Sequence, residues 1–132
     1  MLEKYPNDVK IVIKHFPLPS HKSARPAATA ALAAHKQGKF WEFHAKLFEN
    51  YRSLNEKKIE EIAIELKLDM EKFAADRKSP EIKALIERDI RNGKAIGVRG
   101  TPTIFLNGKR VKNRSMQGFQ QMIEAEISKS DK

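Results

Sequence analysis

One stretch constrains this chain more than any other: Gly97-Val98-Arg99-Gly100-Thr101-Pro102-Thr103-Ile104-Phe105-Leu106-Asn107-Gly108. Proline has no N–H to give to a strand ladder, so Pro102 belongs at the beginning of a strand or in a tight turn. An X-Pro bond is also the one common place for a cis peptide, and Gly100 just ahead adds the freedom a sharp bend needs. Thr101-Pro102 therefore reads as a bent, fixed loop entering a strand at Thr103–Leu106. Asn107-Gly108 is a strong two-residue hairpin signal, with the returning strand expected over Lys109–Lys112.

Upstream the apolar pattern takes other periods. The β-branched run Val9–Phe16, bounded by Pro6-Asn7-Asp8 and Pro17-Leu18-Pro19, predicts a buried strand. An alanine-rich helix is expected over Ala24–Lys36, with Ser23 as N-cap, Pro26 in the first turn and Gly38 as stop. Phe40, Phe43, His44, Leu47, Phe48 and Tyr51 follow the spacing of one helical face. Asn55 and Asp69 can cap two further helices, and Ser79-Pro80 opens another that buries Ile82, Leu85, Ile86 and Ile90. Ser115 can cap a last helix with Phe119, Met122, Ile123 and Ile127 inward, and the polar tail from Ser128 is expected to fray. Strand, helices, hairpin and helix make an α/β plan with a small mixed sheet. The 132 residues suffice for one domain with its own core, and no internal repeat divides them.

The loop and hairpin around Gly100-Thr101-Pro102-Thr103 resemble those of DsbA-like thiol–disulfide oxidoreductases within the thioredoxin superfamily. Two other stretches are similar as well. Lys14-His15-Phe16-Pro17-Leu18 resembles the end of the strand that follows the family's active-site helix. The run from Ala30-Ala31 to Gln37-Gly38-Lys39-Phe40-Trp41-Glu42-Phe43-His44 resembles the start of its helical insertion. The resemblance implies a thioredoxin-like fold over residues 1–132, with a DsbA-type helical insertion at about 24–96. It implies disulfide formation or isomerisation in exported proteins as the activity of complete members. It also puts Thr101 and Pro102 where the family's loop faces a cysteine pair and hydrogen-bonds a substrate peptide. With their neighbours Arg99 and Gly100 they are the candidate substrate-binding residues.

The chain departs from the family at one decisive point, because it contains no cysteine. The family begins with a strand and a Cys-x-x-Cys at the start of a long helix, and Leu2–Val9 resembles only the last turn of that helix. The expectation is an N-terminally truncated domain. Thiol–disulfide exchange needs a low-pKa thiolate and a second, resolving thiol, so no catalytic residue is assigned and the chain alone is expected to be redox-inactive. In the family the absent strand lies at the sheet centre, between the counterparts of Val9–Phe16 and Thr103–Leu106. Its loss would leave open strand edges and favour a homo-oligomer by strand exchange. The alternative function is a non-redox peptide-binding or oligomerising module that uses the groove of the proline loop. A polypeptide substrate or partner protein is expected in either case.

The remaining residues exclude more than they suggest. No apolar run approaches the roughly 18–20 residues of a membrane helix, so no membrane role is expected. Residues Met1–Pro6 contain an acid and no apolar segment, which is not a signal peptide. As written the chain is expected in the cytoplasm, although complete members of the family are typically periplasmic or extracytoplasmic. His15, His21, His35 and His44 lack metal-ligand spacing, so no metal and no cofactor is expected. Glu60, Glu61 and Glu65 lie on a lysine-rich helix and read as a solvated salt-bridge face. The net charge is +9, and Lys94, Arg99, Lys109, Arg110, Lys112 and Arg114 form a run without acids beside the proline loop. Such a rim can attract acidic peptides; nucleic acid is the less favoured partner, since no recognition motif or stacking-aromatic signature accompanies it. Trp41 lies off the main aromatic stripe and is the best candidate for partial exposure.

Overall fold

The computed structural model describes residues 4–130; the helical turn expected from Leu2 and the tail at Asp131-Lys132 lie partly or wholly outside them. Two compact units result, one from the residues up to Lys14 together with those from Gly100 on, the other from His15–Arg99.

The His15–Arg99 unit is helical. It contains α1 (Ala24–His35), α2 (Phe40–Glu49), a 3-10 turn (Tyr51–Ser53), α3 (Glu56–Glu65), α4 (Met70–Arg77) and α5 (Pro80–Ala95). Three helix starts follow the sequence signals. The Lys58 N–H donates to Asn55 Oδ1 at 2.8 Å, the Lys72 N–H to Asp69 Oδ1 at 3.2 Å and the Ile82 N–H to Ser79 Oγ at 3.2 Å, with Pro80 opening α5. Each bond satisfies an amide that the first helical turn leaves without a partner.

Ser23 is a correction. Its backbone is already right-handed helical (φ −89°, ψ −4°), so its side chain does not cap α1; Oγ donates instead to the Leu54 carbonyl at 3.1 Å. Capping needs extended backbone at the cap residue.

Helix α1 is the centre of this unit, packing against α2, α3, α4 and α5. Its alanines make this close approach feasible: Ala27, Ala30, Ala31, Ala33 and Ala34 are buried along with Leu32. Around them lie Phe43 and Leu47, Ile59 and Ile62, Phe73, and Ile82 and Ile86. The Phe43 and Phe73 rings meet at 5.8 Å between centroids.

The aromatic stripe on α2 is only partly internal. Phe43 and Leu47 at its centre are buried, whereas Phe48 is 65% exposed and Tyr51 62%. The helix ends at Glu49, so Tyr51 falls in the 3-10 turn, out of phase with the stripe.

The expected strand Val9–Phe16 is not formed. A strand exists only as part of a ladder, and none of residues 9–16 is in one. Val12 is 67% exposed in consequence. Ahead of it, the Val9 N–H reaches the Tyr5 carbonyl at 3.2 Å, closing one helical-type turn.

The other unit contains β1 (Phe105–Leu106), β2 (Lys109–Arg110) and α6 (Met116–Ser130). The strands pair antiparallel, Phe105 opposite Arg110 and Leu106 opposite Lys109. The expected hairpin forms with shorter strands. Its turn residues Asn107 and Gly108 have φ of 48° and 81°, the left-handed geometry that matches the twist of paired strands. The Gly118 N–H donates to Ser115 Oγ at 3.0 Å, so Ser115 does cap α6. Lys109 Nζ and Asn107 Nδ2 both reach the Glu126 carboxylate, at 2.9 and 3.4 Å, and tie the hairpin to α6. The helix runs past Ser128, where fraying was expected. Lys129 lies 3.6 Å from Glu126 one turn earlier and places a cation at the helix C-terminus, where it is favoured. No helix of the described residues is long and apolar enough to cross a membrane.

Candidate functional site: the proline loop and the hairpin cleft

The turn preceding β1 is held by its own side chains. Thr103 Oγ1 donates to the Gly100 carbonyl at 2.7 Å, and the Thr101–Pro102 peptide is cis. Thr101 and Pro102 are exposed and Gly100 half-buried. Three of the four candidate substrate-binding residues are thus gathered in one turn. Arg99, the fourth, is exposed and is the last residue of the helical unit rather than part of this one.

The register defines an open edge beyond the turn. In an antiparallel pair, hydrogen-bonded and non-bonded residue pairs alternate. Leu106 and Lys109 close the two-residue turn, and the Val111 N–H donates to the Ile104 carbonyl at 2.8 Å. Phe105 is therefore in a non-bonded pair, and its N–H and C=O point away from β2; by the same alternation so do those of Thr103. Among the described residues no backbone group pairs with them.

A cleft of about 300 Å³ is lined by both arms of the hairpin. One arm contributes Pro102, Thr103 and Ile104, and the other Arg110, Val111, Lys112 and Arg114. Arg114 Nη1 donates to the Pro102 carbonyl at 2.9 Å, bracing the arms against each other. Lys109 is neutralised by Glu126. Among the described residues none of Arg110, Lys112 and Arg114 has an acidic partner. The site can therefore pair with extended backbone along one edge and hold negative charge in the cleft. It contains no thiol.

The other sequence candidates lie in the helical unit. Glu61 and Glu65 do form a salt-bridge face, with Lys58 at 3.1 Å and Lys46 at 2.8 Å. Trp41 is 52% exposed, in agreement with its place off the stripe. Its ring stands edge-on to Phe40 and His44, while His44 stacks on Phe40 at 5.5 Å and meets Phe48 at 4.8 Å. His15 and His35 approach Phe40 edge-on, each at 6.1 Å. Burial pushes the His15 and His44 imidazoles below their ordinary pKa. For His15 the Asp89 carboxylate opposes that shift and His44 adds to it.

Sequence reasoning missed Asp89, which is buried in α5 and accepts a hydrogen bond from the His15 backbone N–H. A signal existed: Asp89 falls among Ile82, Leu85, Ile86 and Ile90 at core-facing helical spacing, a position for an acid only where a donor awaits it. The apolar part of the cleft, Ile104 and Val111, was also unmarked, because which strand residues face each other depends on register.

The Thioredoxin family model matches residues 1–125. The solved structure of a thioredoxin-like oxidoreductase from Silicibacter pomeroyi DSS-3 superposes with a TM-score of 0.72 and 29% identity, over 88% of this chain and 66% of that one. A Na(+)/H(+) antiporter NhaA of Herminiimonas arsenicoxydans is 37% identical over 106 residues, which are 80% of this chain but 17% of the antiporter. The NhaA 1 antiporter of Mycolicibacterium vanbaalenii is 36% identical over 109 residues, 80% of this chain and 18% of that protein. The chain thus spans less than a fifth of the length of these curated relatives. Its helices, its small antiparallel hairpin and this likeness define a thioredoxin-like fold, and the chain belongs to the thioredoxin family.

Proposed function

We propose that this chain is a polypeptide-binding module of the DsbA-like group, which by itself binds extended chains without exchanging disulfides. The exposed Thr101–Pro102 turn ahead of the hairpin edge, braced by the Thr103 Oγ1 bond to the Gly100 carbonyl, carries the reading. An extended peptide laid along that turn could pair its backbone with the loop's own, and this mode of recognition tolerates many sequences. Disulfide formation or isomerisation, the activity expected of complete DsbA-like proteins, requires thiols that this chain does not contain.

The test uses two labelled peptides of one sequence, one of them N-methylated at alternate residues along its pairing edge. The unmodified peptide should bind and the methylated one should not. Equal binding of both would remove strand addition from the account. In an insulin-reduction assay the chain alone should give no turnover above buffer.

The same edge favours a second reading, in which its occupant is another copy of this chain and the module oligomerises by strand exchange. Light scattering over a concentration series separates the two, since a strictly monomeric protein that binds peptide leaves only the first.

A further inference from the structure

We propose that Asn107 is a self-modification site, at which the neighbouring backbone displaces the side-chain amide and the residue becomes aspartate or isoaspartate with time. The tripeptide Asn-Gly-Lys occurs at Asn92-Gly93-Lys94 and again at Asn107-Gly108-Lys109. By sequence the two copies are equivalent, since in each the following glycine has no side chain to hinder attack by its amide nitrogen. Their surroundings in the fold make them different.

The first copy is locked. Asn92 and Gly93 lie within α5, whose ladder occupies the Gly93 N–H. Their carbonyls accept the Ile96 N–H at 3.3 Å and the Val98 N–H at 2.9 Å. The Phe16 ring packs against Gly93, so closely that a Cβ there would meet it at 3.0 Å. Attack on the Asn92 side chain requires the backbone to leave helical angles, and the last turn of α5 would have to unravel first.

The second copy is open to reaction. Asn107 and Gly108 are exposed to water, and among the described residues the Gly108 N–H has no acceptor. The Asn107 side chain is held by a long bond, 3.4 Å from Nδ2 to Glu126. The left-handed turn must relax before Gly108 can attack, but the strands on either side are two residues each. Opening so short and exposed a hairpin takes little free energy.

The reaction balances with water alone. The Gly108 nitrogen gives its proton to solvent and bonds to Asn107 Cγ; the Cγ–Nδ2 bond breaks, and Nδ2 takes up a proton and leaves as ammonia. Water then opens the cyclic imide at one carbonyl or the other, which gives isoaspartate or aspartate. Either product sets a carboxylate where an amide had donated to Glu126, so Glu126 loses a donor and gains a like charge. Isoaspartate also adds a methylene to the backbone of the two-residue turn that fixes the pairing of Leu106 with Lys109. The modification therefore loosens the hairpin from α6.

The experiment incubates the full chain for weeks at neutral pH and body temperature. Peptide mapping by tandem mass spectrometry follows conversion of amide to carboxylate at each copy, with chromatography separating the aspartate and isoaspartate forms. In the folded chain Asn107 should convert about tenfold faster than Asn92, because its segment opens more readily. In urea the two rates should converge. Asn107→Gln, whose longer side chain would have to close a less favourable ring, should stay an amide at that position. Amide chemical shifts at Lys109 and Arg110 should change in step with conversion of the unaltered chain. Equal rates in the folded chain, or faster conversion of Asn92, overturn the proposal. So does an Asn107 that keeps its amide when folded but loses it in urea, since the turn would then be protective. A rate difference that persists in urea also overturns it, because Arg91 and Leu106 ahead of the two copies, and not the fold, would then set the order.

Discussion

The Asp89 carboxylate accepts the backbone N–H of His15 at 3.0 Å, a bond that spans 74 residues of sequence and ties an irregular segment to the middle of α5. Asp89 is only 4% exposed, so this carboxylate is placed where water is scarce. Replacing it by alanine leaves a part-buried amide without its acceptor and should destabilise the protein by about 1–3 kcal/mol. Asp89→Asn keeps a carbonyl oxygen in the same place and should lose less. Urea denaturation midpoints of the two variants check this order, and equal losses would mean that the bond to His15 is not what matters.

The histidines near Phe40 give stability a pH dependence of definite sign. His15 and His44 have folded-state pKa values below the ordinary 6.5, chiefly because burial disfavours the charged ring. Well above 6.5 both rings are neutral whether the chain is folded or not, and they contribute nothing. As the pH falls through 6.5 the unfolded chain takes up protons that the folded chain resists, so stability declines toward acid. The denaturation midpoint should be lower at about pH 5 than at about pH 8, and the difference should shrink in a His15→Gln, His44→Phe double variant. An unchanged difference would assign the acid sensitivity to other groups.

Two serines that look alike in sequence should respond oppositely to the same pair of substitutions. Ser79 caps α5 from extended backbone, so Ser79→Ala should cost about 1 kcal/mol and Ser79→Gly only a few tenths. Ser23 is helical and caps nothing, so there glycine should be the worse replacement, by up to about 1 kcal/mol relative to alanine. Thermal melts of the four variants read this reversal directly.

Gly118 is required by packing. A Cβ at this position in α6 would lie 2.5 Å from the Asn113 carbonyl oxygen and 2.6 Å from Asn113 Cγ. Alanine normally favours a helix over glycine, yet Gly118→Ala should destabilise by about 1–3 kcal/mol because a backbone oxygen must move. A variant as stable as the unaltered chain would show that the Asn113 loop yields easily.

The Asn107-Gly108 turn sets the register on which the open edge depends. Gly108 at φ 81° is where an L side chain is strained, so Gly108→Val should cost at least about 1–2 kcal/mol. Peptide affinity should fall with it, if the paired register is what turns Thr103 and Phe105 outward. Affinity that survives loss of the hairpin, followed by amide chemical shifts at Lys109 and Arg110, would place the binding elsewhere.

Local chemistry carried much of this protein in readable form. Asn55, Asp69, Ser79 and Ser115 cap helices because a short polar side chain can satisfy the amides of a first turn without help from distant residues. Asn107-Gly108 turns the chain because few other pairs accept that backbone. The absence of cysteine excluded thiol chemistry before any fold was known. Other features depended on partners remote in sequence. Val9–Phe16 has the composition of a strand but is not in one, since a strand is defined by its ladder and not by its composition. Phe48 shares the spacing of Phe43 yet stays exposed, because helical phase says which residues share a face and not how far the neighbouring helix extends. Asp89 found its donor 74 residues away, and Arg114 found the Pro102 carbonyl across the hairpin. Sequence by itself determined the family's proline turn and the want of a nucleophilic thiol, both properties of residues in short runs. Only the tertiary structure decided which backbone groups lie open at the edge and which cations stand uncompensated beside them, because those depend on register and on distances between segments.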